Sequence, residues 1–371
     1  MKIIHILNEL KYSGAEIMYV DAAPIFQSLG CELSVVATAN SLGEFAPKFK
    51  KAGYTVYHKS IPSKSSLFKR GIYYLSFIKF LKTEKYDVLH NHSNSTYWGM
   101  ALCAKLAGVK SVYTFHNVFP TSWYSRWYHL WLRWSAKKML SCTFQTISDS
   151  VYQNELKVFF NKTILINNWY GNNRFYPAVV GEKELVREEL GIDKDALVLI
   201  SVGGCSHIKR HSDIIEALPI ILEKYPNTIY LHLGEGDDLC KEKELSKKLI
   251  VDDNIIFMGN QTDVRKFLVA SDIYLMTSKH EGLPITTIEN MGCGIPSILY
   301  DVPGLRDFNA TQRNSLVIKP RIVELVKSIG ELHCDASMKE QISNKAKSFV
   351  DEKYNMANNV KLIFNLYISH E

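Results

Sequence analysis

Glu281 and Glu289 stand eight positions apart in SKHEGLPITTIENMGCGIP, residues 278–296. Paired carboxylates suggest work at a glycosidic bond, for which two carboxyl groups must lie roughly 5–9.5 Å apart. The apolar run at 273–276 predicts a strand entering this stretch, and Gly292 and Gly294 predict the end of a helix leaving it. Pro284 marks the helix start, because a first turn has no partner for the N–H that proline lacks. Glu281 then falls in the loop and Glu289 inside the helix, and a rise of ~1.5 Å per residue separates them by about 10 Å or more. That span is too long for one bond. Between the two acids lie the free N–H groups and positive dipole end of a helix, a ready anion site. A ligand with hydroxyls at both ends and phosphate in the middle fits, and a nucleotide-diphosphate sugar is such a ligand. The plain alternative is that Glu281 caps the helix and Glu289 is a solvated surface acid. The two carboxylates alone leave both readings open.

The elements that must position these acids form a βα alternation along the whole chain. KIIHILN predicts a buried strand, residues 12–16 a glycine turn, 15–29 a helix and 32–37 a second strand, which together make a parallel βαβ unit. The G-x-G-x-x-G dinucleotide fingerprint is absent. Gly14, at the helix start, either admits a ligand close to the backbone or simply makes a tight turn. Strands at 55–57, 87–90 and 111–115 alternate with helices near 66–82 and 96–107. His90, His92 and His116 fall at strand carboxyl ends, the edge that faces ligands in open α/β sheets. With no nearby Asp or Cys they do not read as a metal site. NNWYGNNRFYP, 167–177, is rich in turn formers and reads as a linker.

A second alternation follows. It runs through a strand at 197–202, a helix at 213–224, strands at 228–233 and 255–259 and a helix at 263–270. It then takes in the two-carboxylate stretch, a strand at 297–300, the turn 301–304 and a helical tail from 338 to 369. At the exit of the 197–202 strand, Gly203 and Gly204 precede Lys209 and Arg210, which gives either a phosphate clamp or a solvated turn. The fold class is α/β, with two doubly wound, Rossmann-like domains.

At 371 residues, 46% hydrophobic and 22% charged, the chain has the composition of a soluble protein with room for two cores. No run approaches the length of a membrane span. MKIIHILNEL is broken by His5, Asn8 and Glu9 and does not read as a signal peptide. Seven cysteines without any C-x-x-C read as reduced thiols of a cytoplasmic protein, not as disulfides or a zinc site. Residues 1–175 carry 21 Lys and Arg against 9 Asp and Glu, a net of +12, and the remainder 23 against 29, a net of −6. The basic half is drawn to an anionic partner, and with no nucleic-acid motif present that partner is an anionic membrane surface.

Two segments fit such a surface. Trp123, Trp127, Trp131 and Trp134 follow helical spacing with Arg126, Arg133, Lys137 and Lys138 beside them. Between Lys64 and Lys85, Lys69, Arg70, Lys79 and Lys82 interleave with Phe68, Tyr73, Tyr74, Phe77 and Phe80. The alternative is that both apolar faces pack on the core.

Taken in order, SGAE at 13–16, DVLHNHS at 87–93, YTFHN at 113–117, TISDSV at 146–151, GEG at 234–236, FMGNQTDV at 257–264 and the 278–296 stretch carry a resemblance. The chain resembles the family-4 retaining glycosyltransferases of the GT-B fold, of the kind that build capsule, O-antigen and exopolysaccharide. The resemblance covers essentially the whole length. It implies two Rossmann-like domains facing a cleft, an acceptor domain at 1–175 rejoined by a C-terminal helix at about 352–371, and a donor domain at 176–351.

The resemblance also implies transfer of a hexose or N-acetylhexosamine from a nucleotide-diphosphate sugar, UDP favoured over GDP, without a metal or other cofactor. The acceptor would be a lipid-linked saccharide or oligosaccharide at the inner face of the cytoplasmic membrane. By the same resemblance Glu281 contacts the donor sugar, Glu289 holds the ribose, and Gly282, Leu283 and Pro284 face the phosphates. Lys209 neutralises the diphosphate, His116 stands beside the reacting sugar, and Gly14, Gly203, Gly204, Arg210 and Gly259 line the donor. The chain departs from the family pattern at Gly204, where an arginine is common, and at Asn168-Trp169-Tyr170-Gly171 in the linker. An epimerase or hydrolase of the same fold and a non-catalytic nucleotide-sugar binder are the rival readings.

Overall fold

The structure, a computed structural model, describes residues 1–63, 66–118, 123–309 and 313–369, the side chains of Trp123 and Tyr124 excepted. Its contacts divide the chain into two units, Met1–Trp169 with Met356–Glu371, and Tyr170–Asn355.

The first unit holds seven parallel strands: β1 (Lys2–Leu7), β2 (Glu32–Ala37), β3 (Thr55–His58), β4 (Val88–Asn91), β5 (Lys110–Phe115), β6 (Thr143–Thr146) and β7 (Ile164–Leu165). Their order is β3-β2-β1-β4-β5-β6-β7. The second unit holds six: β8 (Leu197–Val202), β9 (Thr228–Leu233), β10 (Ile255–Gly259), β11 (Ile273–Met276), β12 (Ser297–Tyr300) and β13 (Leu316–Ile318), in the order β10-β9-β8-β11-β12-β13. Such sheets are covered on both faces, so their strands are continuously apolar. All six residues of β8 are buried. Leu199, Ile214, Leu218, Leu275, Ile298, Leu325 and Ile329 form one core, and Ile4, Ile6, Val36, Phe77, Leu81, Leu89 and Met100 another. Each such side chain contributes about 1.5–3 kcal/mol by leaving water.

The tail departs from the expected single helix. It is two helices, Ala336–Lys353 and Met356–Ile368. Tyr354 separates them, its ring buried against Phe308 and Phe349, and the division between units falls one residue later. The last helix anchors in the first unit, where the Tyr367 hydroxyl lies 2.6 Å from His90 Nδ1.

The two basic, aromatic segments form outer parts of one helical layer in the first unit. The helix Tyr97–Ala107 packs against Leu67–Glu84 on one side and Trp123–Lys138 on the other. On the tryptophan helix Trp127, Trp131 and Trp134 are more than half exposed, at 69%, 52% and 57%. The side chain of Trp123 lies outside the described residues. On the helix Leu67–Glu84 the sequence reading needs correction: Phe77 is buried, and Tyr73, Tyr74 and Phe80 pack against the core, while Leu67, Phe68, Ile72 and Leu75 are exposed. Lys69 is exposed beside them, and Arg70 leans back to donate to the Tyr74 hydroxyl at 3.2 Å.

Two cations assigned to the surface turn to partners within the protein, one of them buried. Arg126 donates to the Val158 carbonyl at 3.0 Å. Arg133 is buried: its Nε and Nη2 donate to Glu155 at 2.7 and 2.8 Å, and its guanidinium lies 3.7 Å from the Phe159 ring centroid. The partner that draws it inward, Glu155, sits on the helix Asp149–Phe159, a helix that the sequence reading passed over.

Candidate active site

In the second unit the chain leaves β8 towards β9 and β10, and returns to lay β11 on the other side of β8. The strand order therefore reverses between β8 and β11, and their carboxyl ends form the crevice where open α/β sheets bind ligands. The sequence places Lys209 after one of these strands and Glu281 after the other.

Glycines set the floor. Gly203 donates to the Leu233 carbonyl at 3.0 Å and Gly234 to the Gly259 carbonyl at 2.9 Å, which ties the exits of β8, β9 and β10 together. Gly234 adopts φ +135°, and a Cβ there would stand 1.9 Å from the Gly203 oxygen, so only glycine fits. Lys209 donates its N–H to the Ser206 carbonyl at 2.9 Å and lays its stem over Gly203. Its Nζ reaches Glu281 Oε1 at 2.7 Å, with the two side chains 22% and 14% exposed. A charge-assisted bond of this kind is worth about 1.5–3 kcal/mol.

Both loops are held in place around that pair. The Thr277 hydroxyl lies 3.0 and 2.9 Å from the carbonyls of Lys209 and Arg210, and Lys279 donates to the Ile208 carbonyl at 2.8 Å. On the other side Glu281 donates its own N–H to the Pro303 carbonyl at 3.0 Å. Gly304, at φ +84°, allows this approach, since a Cβ would stand 2.3 Å from the Glu281 oxygen. The turn at 301–304 is thus part of the site, although in the sequence it reads only as a turn that follows a strand.

Gly282, Leu283 and Pro284 are buried, and the helix runs Ile285–Gly292 with Pro284 as its N-cap, one position before the first turn expected for it. Pro284 makes no side-chain cap hydrogen bond at this helix start, and Glu289 is buried at 7% exposure. Both halves of the bland alternative therefore fail: Glu281 bonds Lys209 instead of capping, and Glu289 is not a solvated surface acid. Arg210 is taken up by Asp213, its Nη2 lying 2.6 Å from Oδ2, while the Tyr300 hydroxyl donates to the same oxygen at 2.8 Å. It is not a loose cation that replaces the arginine absent at Gly204.

In the first unit the strand order reverses between β1 and β4. Gly14 opens the helix Gly14–Ser28 after β1. His5 on β1 pairs in register with His90 on β4, and a chain of imidazoles follows: His5 Nδ1 to His92 Nε2 at 3.1 Å, and His92 Nδ1 to His116 Nε2 at 3.0 Å. His90 is held separately, by Tyr367 and by Thr114 at 2.6 Å. The sequence reading missed His5 as a member because its position beside β4 depends on the strand order.

Burial disfavours the charged form throughout this group, lowering His5 to about 3 and His116 to about 4, with His90 and His92 also well below the usual range. Such rings each offer one N–H and one lone pair and carry no charge near neutrality. A histidine whose folded value is depressed stabilises fully above its unfolded value near 6.5 and loses that contribution as pH falls towards the folded value. His5 and His90, at 1% and 0% exposure, dominate. Between pH 6.5 and 5.5 the first unit is therefore expected to lose stability, on the order of 1 kcal/mol for each of these two rings. All six tryptophans lie in that unit, so urea unfolding followed by tryptophan emission reads it directly. A midpoint unchanged across that interval would contradict neutral burial.

Two groups of side chains have metal-ligand character among the described residues. One is His5, His90 and His92, whose nitrogens are largely engaged with one another and with Tyr367 and Thr114. The other is Cys205, His211, His232 and Glu242, all buried, beside the Lys209 turn.

Two doubly wound parallel sheets in one chain follow the plan of the GT-B fold. Residues 182–349 match the family model "Glycosyl transferases group 1" and residues 12–150 the model "Glycosyltransferase Family 4". The chain is 25% identical over 303 residues to the UDP-Gal:alpha-D-GlcNAc-diphosphoundecaprenol alpha-1,3-galactosyltransferase of Escherichia coli, across 79% of this chain and 78% of that one. It is likewise 25% identical to the putative glycosyltransferase EpsD of Bacillus subtilis, across 79% and 77%. The crystal structure of Anabaena Alr3699/HepE in complex with UDP superposes with a TM-score of 0.85 at 18% identity, covering 99% of both chains, and shows the same fold. The chain belongs to the family-4 glycosyltransferases and is an enzyme of the glycosyl-transfer class.

Proposed function

We propose that this enzyme moves a hexose or N-acetylhexosamine from a UDP-sugar to a lipid-diphosphate-linked saccharide, with retention at the anomeric carbon, in surface polysaccharide synthesis. The observation that carries the donor half is the Lys209–Glu281 pair at 2.7 Å, set between glycine loops and a helix with buried Glu289. The N-terminus of that helix and Lys209 would receive the diphosphate. Glu281 would position sugar hydroxyls and Glu289 the ribose. His116, neutral near pH 7, would serve as a hydrogen-bonding ring and not as a cation. The bond from the anomeric carbon to the phosphate oxygen breaks, the acceptor oxygen bonds to that carbon on the same face, and the acceptor proton passes to the leaving phosphate. The protein contributes charge stabilisation and positioning. UDP is supported by the UDP complex of the Anabaena structure, and a lipid-diphosphate acceptor by the name of the Escherichia coli relative.

A peripheral place at the cytoplasmic face of an anionic membrane is supported by the exposed rows Trp127, Trp131, Trp134 and Phe68, Ile72, Leu75, with Lys69, Lys79 and Lys138 exposed near them. No helix among the described residues is long and apolar enough to cross a membrane. Transfer is tested with a UDP-hexose and a lipid-diphosphate saccharide presented in anionic or neutral vesicles. The product should keep the donor's anomeric configuration, and the protein should float with anionic vesicles only. Replacing Trp127, Trp131 and Trp134 together with serine should weaken flotation about tenfold or more, as each ring carries roughly 150–250 Å² of largely apolar surface. An inverted product, or sugar released without acceptor, would overturn the transfer. Equal flotation with both vesicles would overturn the membrane site.

A further inference from the structure

We infer that Cys205, His211, His232 and Glu242 form a structural site for one divalent transition metal, best matched by Zn²⁺, beneath the turn that carries Lys209. The four residues come from four different elements. Cys205 lies in the loop after β8, His232 on β9, His211 at the start of the helix His211–Lys224 and Glu242 on the helix Leu239–Lys248. Their exposures are 1%, 0%, 2% and 4%, and one ligand atom from each lies within 4.8 Å of all the others. The separations are 3.9 Å from Cys205 Sγ to His232 Nε2, 3.0 Å from that nitrogen to Glu242 Oε2, and 3.6 Å from His211 Nδ1 to Glu242 Oε1. A tetrahedral zinc ion with Zn–S ≈ 2.3 Å and Zn–N and Zn–O near 2.0–2.2 Å places neighbouring ligand atoms about 3.4–3.6 Å apart. The separations, the two from Glu242 measured to different carboxylate oxygens, fall at or on either side of that range.

Hydrogen bonds join His232 Nε2 to Glu242 at 3.0 Å and the Cys205 thiol to the Gly234 carbonyl at 3.4 Å, but they leave His211 Nδ1 out. The 3.6 Å separation is too long for a hydrogen bond, and among the described residues His211 Nδ1 has no hydrogen-bond partner. A buried polar atom left in that state costs about 1–3 kcal/mol. As a metal ligand the same nitrogen uses its lone pair. One thiolate, two imidazoles and one carboxylate form a mixed sulfur, nitrogen and oxygen donor set that suits zinc and not magnesium or calcium. On binding, the Cys205 thiol gives its proton to solvent, and thiolate and carboxylate together balance the two positive charges of the ion. The effect of the metal would be to tie the β8 loop to the two helices, fixing Lys209 and Arg210 immediately before His211. The site stands independently of the transfer reaction proposed above.

The test uses the full chain, stripped of metal with a chelator under native conditions and titrated with Co²⁺ alone. Saturation at about one equivalent is expected, with visible bands of tetrahedral cobalt and a near-ultraviolet thiolate-to-cobalt band, followed by displacement by Zn²⁺. Cys205→Ser should abolish the thiolate band and weaken Zn²⁺ binding at least about tenfold. Should that variant fail to fold, Cys240→Ser and Cys334→Ser, which remove the two exposed thiols, should leave the band intact. X-ray absorption of the zinc form should then show one sulfur among lighter ligands. A wild-type chain without a thiolate band, or a band lost with Cys240 or Cys334, would overturn the site.

Discussion

Glu281→Gln should lower kcat for sugar transfer by about 10²–10³, the range for removing one preorganised stabilising group from an active site. Lys209→Met should cost as much. The two side chains are 2.7 Å apart and partly shielded from water, so each is held in place by the other. When the donor arrives, Lys209 gains a second anionic neighbour and Glu281 keeps its orientation through the same bond. Removing either disorders both, so the double variant should be scarcely slower than the worse single one. Residues that act as a unit show this non-additivity. Steady-state kinetics of the two singles and the double measures it. A double variant slower by the product of the single effects would mean that the two residues act separately, and an unchanged kcat in Glu281→Gln would remove it from the site.

Arg133→Met should destabilise the first unit by about 3–5 kcal/mol, because it leaves the Glu155 carboxylate buried without its cation. Glu155 is 2% exposed and takes two bonds from Arg133 and one from Asn161 Nδ2 at 2.8 Å. Exposed ion pairs give median effects of about 0–1 kcal/mol, so the burial decides the size. Arg133→Met combined with Glu155→Leu should recover most of the loss, since an apolar pair of similar volume avoids the desolvation that the ion pair carries. Urea unfolding followed by tryptophan emission reads both. A single substitution that costs less than about 1 kcal/mol would place Arg133 at the surface, as its sequence neighbours suggested.

The difference between Arg133 and Trp127 shows how far the sequence could be read. Helical periodicity put the tryptophans on one face, and Trp127, Trp131 and Trp134 on it are exposed. It could not show that Glu155, twenty-two residues away on another helix, draws Arg133 inward. Strands such as β1, β8 and β9 were legible because buried parallel strands are continuously apolar. β6 and β7 were not, being short and, in β6, rich in threonine and glutamine. Lys209 and Glu281 were named separately, each as a contact to a different part of a ligand. That they bond one another follows from β8 and β11 being neighbours, a fact of strand order and not of spacing. The same holds for His5 beside His92, and for Cys205, whose three companions come from other elements and form no local motif.

The central claim is that the second unit binds a nucleotide-diphosphate sugar through the groups around the Lys209–Glu281 pair. Thermal unfolding of the full chain with UDP-, GDP- and ADP-sugars, for wild type and for Glu289→Gln, tests it most directly. A ligand at 100 times its dissociation constant stabilises by about 2.7 kcal/mol. A UDP-sugar should raise the unfolding temperature of the wild type more than a GDP- or ADP-sugar, and Glu289→Gln should lose most of that rise. No rise with any of the three, or the same rise with and without Glu289, would contradict the account.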